Sequence, residues 1–159
     1  MTVDRNSWGY RRTIKISDIL TIHELIETLT QTISCGGNYS VKVLNKLLHF
    51  SLGNILINVG PTKEGTIVPI FQERLLQLGT WLGINGDAIY ESVPWSVQND
   101  TLTSGVWYTS KDSDVYAIVL NWPDGNVLNL GAATPLFGSS SEVILLGNQD
   151  QSLTVMTNI

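Results

Sequence analysis

The residues of this chain that could perform acid–base chemistry are its carboxylates, since fourteen Asp and Glu stand against two His and one Cys. A working acid–base pair needs two such groups on facing elements. Glu24 and Glu27 instead share the surface of one predicted helix. Glu64 falls in a predicted turn, and Glu73 has helix neighbours with which it can pair. These positions are typical of solvated charges, so we assign no catalytic residue.

Thiol and metal chemistry is not indicated by the sequence. Cys35 is the single cysteine, so it forms no disulfide within the chain, and no Cys or His stands near it at metal-ligand spacing. A small buried thiol is the expected role. His23 and His49 are also isolated, and His23 is expected on a helix surface. The sequence predicts neither a metal site nor a cofactor.

Composition favours a packed globular protein and excludes some partners. The hydrophobic fraction is 43% and the charged fraction 14%. A net charge of -5 leaves no basic stripe for phosphates, so nucleic acid is not an expected partner. No run approaches the ~20 apolar residues of a membrane span. The first twelve residues contain no apolar stretch typical of a secretory signal.

The five Trp and five Tyr could fill a core or stack against sugar rings. Trp95, Trp107 and Trp122 are the candidates for stacking platforms, because they fall beside predicted strands and turns. Packing explains the same positions equally well. A noncatalytic glycan-binding module therefore remains an alternative function.

The first half of the chain is predicted to alternate helices with a strand. Apolar residues at three- and four-residue steps predict an amphipathic helix that begins near Ser17 or Asp18 and ends at Gly36-Gly37. The run ILINV at residues 55–59 predicts a buried strand of the kind found in parallel sheets. A second helix is expected to end between residues 83 and 86. Residues 1–92 are thus predicted to form part of an α/β repeat.

The second half is predicted to be an antiparallel β unit, with a boundary at residues 92–99. Strands are expected at 105–109 and 115–121, and the turn NWPDGN should lead to a third. The stretches SEVILLGN and SLTVMTNI continue the same pattern. Residues 93–159 are therefore predicted to form a small β-sandwich, in which the final strand is missing or altered.

Several linked motifs from residue 7 to about 130 resemble one family in the same order. They are SWGYRR, GGN, ILINVGPTKEG, PIFQERLLQLGTWLGINGDAIYES and VWYTSKDSDVYAIVLNWP. With these motifs the chain resembles the α-L-fucosidases of glycoside hydrolase family 29, especially the animal lysosomal and secreted enzymes. The resemblance implies the C-terminal part of a (β/α) barrel in residues 1–92, followed by the family's β-sandwich domain in 93–159.

The resemblance also implies an activity, retaining hydrolysis of α-L-fucosyl linkages in glycoconjugates. Such an enzyme needs two carboxyl groups ~5–5.5 Å apart. In relatives the aspartate nucleophile and the acid/base glutamate precede the SWGYRR motif, so this chain is expected to be inactive alone. Trp8 would offer its indole ring to fucose. The resemblance implies that fucosylated glycans are the partners and that the protein is lysosomal or secreted. It also implies that the chain forms homo-oligomers or associates with full-length subunits.

Residues 39–54 interrupt the family pattern. Without them the sequence reads SCGGNILINVGPTKEG, an uninterrupted family motif, so the resemblance implies an insertion. The inserted apolar residues could form one helix face, through Val41, Leu44, Leu47, Leu48 and Phe50. An apolar segment between a helix and a core strand is expected to weaken folding.

Two N-glycosylation sequons occur in the chain. Asn99-Asp100-Thr101 falls at the domain boundary, and Asn99 is the predicted acceptor. Asn38-Tyr39-Ser40 exists only because of the insertion, and we discount it.

Overall fold

A computed structural model describes residues 19–42, 53–136 and 142–147 of the chain. Helix α1 spans Ile22–Ser34, and Thr21 caps its first turn. The Thr21 hydroxyl accepts from the Glu24 N–H at 3.2 Å, while the Glu24 carboxylate accepts from the Thr21 N–H at 3.0 Å. This capping box satisfies two free donors at once. The predicted start at Ser17 or Asp18 is therefore wrong, because the helix begins after Thr21.

The predicted end of α1 at the paired glycines is confirmed. Gly36 has a φ of 71°, the left-handed conformation that glycine adopts without strain. A Cβ at Gly36 would lie 2.9 Å from Pro94 Cγ, so the helix end packs closely on the start of a later strand. Cys35 is exposed rather than buried as expected, because it occupies the C-cap of α1.

Two parallel strands follow α1. Strand β1 spans Gly37–Lys42 and strand β2 spans Gly53–Asn58, in a register that runs from Gly37 opposite Gly53 to Lys42 opposite Asn58. The strand predicted at 55–59 is confirmed. Residues 39–42 of the insertion form the end of β1, so the predicted helix is wrong at Val41, where pairing with β2 supplies the backbone hydrogen bonds. The other residues of the predicted helix face lie outside the described residues.

Helix α2 spans Pro69–Asn85 and confirms the second predicted helix. Proline stands at its first position, where the missing N–H costs nothing. A short 3-10 helix, Gly86–Ala88, follows directly. Phe71 and Leu78 are buried on the inner side of α2.

The second half contains a three-stranded antiparallel sheet in the order β3, β4, β5. These strands span Val93–Asn99, Val106–Lys111 and Asp114–Val119. The hairpin of β4 and β5 confirms the two predicted strands, whereas β3 falls in the predicted boundary and was not expected. No strand is formed by the described residues after the NWPDGN turn or by residues 142–147, so those two predictions are wrong. The stretch SLTVMTNI lies outside the described residues.

One apolar core joins the two halves of the chain. Leu25, Leu29 and Ile33 of α1 pack in a single buried cluster with Leu78 of α2 and Ile118 of β5. Ile55 and Ile57 of β2 pack against the same cluster, so α1 contacts both the parallel strands and the antiparallel sheet. The division at 92/93 stays a prediction, and the packing shows that β5 shares its core with α1.

Candidate functional site

The segment after β2 carries the rest of the NVGPTKEG motif, at residues 59–65. It leads into a closed turn in which the Thr62 N–H donates to the Thr66 carbonyl at 2.7 Å and the two threonine hydroxyls lie 2.8 Å apart. Lys63 and Glu64 are exposed at the tip, with Lys63 Nζ 3.4 Å from the Glu64 carboxylate. Glu64 is thus a solvated charge, as predicted.

Asp100 is the one buried carboxylate among the described residues, and both of its oxygens accept hydrogen bonds from other parts of the fold. Its Oδ1 accepts the backbone N–H groups of Leu102 and Thr103, each at 2.8 Å. Its Oδ2 accepts the Tyr108 hydroxyl at 2.6 Å and the Ala132 N–H at 3.0 Å. This arrangement fixes the β3–β4 connection and ties it to the segment that follows β5.

The electrostatics of Asp100 suit a structural role. Burial raises the pKa of its carboxyl, but the hydrogen bonds from Tyr108 and from backbone N–H groups outweigh burial and hold that pKa well below its usual range. A catalytic acid at neutral pH needs a raised pKa instead. Asp100 therefore stabilises the fold and cannot protonate a leaving group.

Sequence reasoning missed this buried carboxylate. The signal was the order Asp100-Thr101-Leu102-Thr103, in which an aspartate can accept from backbone N–H groups two and three residues later. The donors from residues 131 and 132 carry no local signal, because only the fold brings them to Asp100.

The glutamates considered as acid–base candidates have structural or surface roles. Glu24 caps α1, Glu27 accepts from Gln31 at 3.1 Å, and Glu73 pairs with Arg74 at 3.1 Å. In residues 19–42, 53–136 and 142–147 no group of three His, Cys, Asp or Glu is placed to hold a metal. Within the same residues no helix has the length and apolar character needed to span a membrane.

The two predicted site residues are placed differently by the structure. Trp8 lies outside the described residues. Asn99 is the exposed last residue of β3, opposite Trp107 in the register, and Thr101 of the same sequon is also exposed. The asparagine and the threonine of the sequon are therefore at the surface, while Asp100 between them is buried.

The three tryptophans considered as stacking platforms differ in exposure. Trp95 packs against Tyr108 with ring centroids 5.1 Å apart, and Trp107 is half-buried. Trp122 leaves 48% of its surface exposed, and its indole N–H donates to the Asn126 side chain at 3.0 Å. Of these three tryptophans only Trp122 is exposed.

Comparison with known proteins decides the family. The family model described as alpha-L-fucosidase matches residues 1–47 and 43–87, and the alpha-L-fucosidase C-terminal domain matches residues 98–158. This chain belongs to the α-L-fucosidase family. The predicted family is thereby confirmed. The two segments matched by the alpha-L-fucosidase model overlap at residues 43–47, inside the insertion at 39–54.

Curated α-L-fucosidases resemble the chain over most of its length. Human tissue alpha-L-fucosidase is 50% identical over 148 residues, which cover 93% of this chain and 28% of the relative. Human plasma alpha-L-fucosidase is 49% identical over 150 residues, which cover 93% of this chain and 28% of the relative. The α-L-fucosidase of Branchiostoma floridae is 48% identical over 147 residues, which cover 92% of this chain and 29% of the relative. The chain thus spans less than a third of the length of these relatives.

A solved family structure supports the predicted fold class. The Thermotoga maritima α-fucosidase in complex with fucose superimposes with a TM-score of 0.58 at 31% identity, over 74% of this chain and 24% of that one. The chain therefore has the fold of the C-terminal part of a fucosidase, in which the last helices and strands of the barrel are followed by the C-terminal β domain.

Proposed function

We propose that this chain is the C-terminal part of an α-L-fucosidase that hydrolyses α-L-fucosyl linkages in glycoconjugates with retention of configuration. The observation that carries the proposal is the identity of about 50% to human tissue alpha-L-fucosidase over 93% of the chain. In a retaining mechanism one carboxylate attacks the anomeric carbon while a second carboxylic acid protonates the leaving oxygen. The resulting fucosyl ester is then hydrolysed by water.

The chain by itself is proposed to be inactive. By family resemblance both catalytic carboxylates precede the SWGYRR motif at residues 7–12. The only buried carboxylate of the described residues, Asp100, already accepts hydrogen bonds at both oxygens and has a lowered pKa. We therefore propose that the nucleophile and the acid lie in sequence outside these 159 residues.

Trp8 is proposed to line the fucose pocket of the complete enzyme. A flat indole ring suits the apolar face and the methyl group of a 6-deoxy sugar. In a fucosidase that carries the SWGYRR motif of this chain, Trp8→Ala should raise KM for a fucoside, and Trp8→Phe should restore most of the affinity. Unchanged kinetics in Trp8→Ala would remove the residue from the site.

Asn99 is proposed to carry an N-linked glycan, in keeping with a lysosomal or secreted protein. Its exposed position at the end of β3 leaves room for a glycan. After secretory expression, peptide N-glycosidase should shift the chain on a gel, and Asn99→Gln should abolish that shift. Asn38→Gln is the matched control and should leave the shift intact. A shift that survives Asn99→Gln would contradict the assignment.

Hydrolysis of 4-nitrophenyl α-L-fucopyranoside tests the proposed function. The purified chain should release no nitrophenol above buffer, whereas a longer product that includes the upstream barrel should release it. Retention of the chain on fucose-agarose without hydrolysis would favour the glycan-binding alternative, for which Trp122 is the exposed candidate. Co-purification with an intact fucosidase would indicate the expected subunit association. Nitrophenol release by the purified chain would contradict the proposal.

A further inference from the structure

The two parallel strands begin with the same dipeptide. Strand β1 starts with Gly37-Asn38 and strand β2 with Gly53-Asn54. The register aligns these dipeptides, since Gly37 lies opposite Gly53 and Asn38 opposite Asn54. The pairing then continues without a shift to Lys42 opposite Asn58. The insertion therefore repeats the start of the strand that it interrupts.

This repetition changes which strand directly follows α1. In the uninterrupted family motif, GGN runs straight into ILIN, so a single strand follows the helix. Here β1 takes that place, and β2 pairs beside it after residues 43–52. Those ten residues are close to the minimum of ~10–12 for a crossover between parallel strands. The chain thus gains one parallel strand that the family pattern does not contain.

The added strand occupies a hydrogen-bonding edge of β2. In a closed barrel every strand is paired on both edges, so each edge of the ILIN strand is used by a neighbouring barrel strand. Among the described residues, β1 is the partner of β2 in a two-stranded sheet. An edge that is paired with β1 cannot accept another strand at the same time.

We propose that the insertion is an intramolecular edge cap, in which β1 covers an edge of β2 that a barrel strand occupies in the family fold. In this chain the cap occupies one edge of β2, so that edge cannot pair with a strand of another chain. In a longer product that keeps the insertion, the same pairing would compete with closure of the barrel. The inference concerns strand pairing and goes beyond the proposed hydrolase function, so either can fail without the other.

Amide hydrogen exchange on the full chain tests the cap. Adjacent residues of a strand point their N–H groups to opposite edges, so only one of Ser40→Pro and Val41→Pro removes a donor to β2. That variant should speed exchange at residues 55–58 about tenfold or more, and the other should not. Exchange in α2 is the internal reference. Loss of protection confined to β2 supports the cap, and loss in both elements, or in neither, overturns it.

Deletion of residues 39–54 is the second test and does not depend on proline. The deletion rejoins GGN to ILIN and removes β1, so the edge of β2 is uncovered. We expect residues 55–58 to lose protection from amide exchange, because their N–H groups no longer have β1 as a partner. A shortened chain that keeps these amides protected would contradict the cap.

Discussion

The Tyr108 hydroxyl donates to the Asp100 carboxylate across 2.6 Å, and both side chains are buried. Tyr108 belongs to β4, while Asp100 follows the last residue of β3. The same carboxylate holds the backbone of residues 131 and 132. This pair therefore joins three segments of the C-terminal half and should make a large contribution to its stability.

Asp100→Asn should lower the free energy of unfolding by about 3 kcal/mol near pH 7, because an amide offers one acceptor oxygen where several donors converge. The pKa of Asp100 is lower in the folded than in the unfolded chain. Its stabilising effect is thus complete above the unfolded value of about 3.9 and declines as the pH falls below it. Urea unfolding between pH 2.5 and 7 should show a flatter profile for the variant, and parallel profiles would contradict this.

Tyr108→Phe should cost about 1–2 kcal/mol at neutral pH, since the ring keeps its packing while Asp100 loses one donor. Burial, together with the hydrogen bond and the charge of Asp100, raises the pKa of the Tyr108 hydroxyl. Wild-type stability should therefore decline as the pH rises above the ordinary tyrosine value of about 10, and the decline should be smaller in the variant, which keeps only the raised pKa of Tyr116. The exposed Tyr90→Phe is the control and should change stability by less than about 0.5 kcal/mol.

Thr30→Val should stabilise the chain by about 1 kcal/mol. The Thr30 hydroxyl is fully buried in α1 and has no hydrogen-bond partner in the described part of the chain. Valine keeps the shape and removes the unpaired polar group. Thr32→Val is the matched control, because the Thr32 hydroxyl donates to the Thr28 carbonyl at 2.7 Å. Thermal melts that rank Thr32→Val above Thr30→Val would contradict this account.

Gly36→Ala should destabilise the chain by about 2 kcal/mol, because the residue has a positive φ and its Cβ would press on Pro94. Gly79→Ala provides the opposite case. Gly79 lies within α2 with open space around it, so alanine should stabilise the helix by ~0.5–1 kcal/mol. Chemical denaturation of both variants gives the comparison, and equal effects would show that α1 and β3 do not pack as described.

Local patterns of apolar residues were enough to predict several of the elements. Helix α1, helix α2 and the hairpin of β4 and β5 were found in this way. Strand β3 was missed because residues 92–99 were assigned to the domain boundary, since the sequence pattern changes after Pro94. The strand expected after NWPDGN is not formed by the described residues. Backbone groups of residues 129–132 instead hydrogen-bond to the Asp100 carboxylate and the Thr103 hydroxyl.

The insertion shows the limit of local patterns more clearly. Its apolar spacing favours a helix, yet residues 37–42 pair with β2 over six positions. A parallel ladder depends on a partner distant in sequence, and no local pattern reports it. The family, and the expectation that both catalytic carboxylates precede the SWGYRR motif, were inferred from several linked motifs. Such motifs are spread along the chain and do not depend on one helix or strand.

Covalent labelling with 2-deoxy-2-fluoro-α-L-fucosyl fluoride is the most direct measurement of the central claim. In a retaining fucosidase the nucleophilic carboxylate displaces fluoride and keeps the fluorinated sugar as a stable ester. A complete α-L-fucosidase should gain the mass of one such sugar. The purified chain should keep its unmodified mass under the same conditions. A stoichiometric adduct on a carboxylate within residues 1–159 would show that the nucleophile is present here, and the account would be wrong.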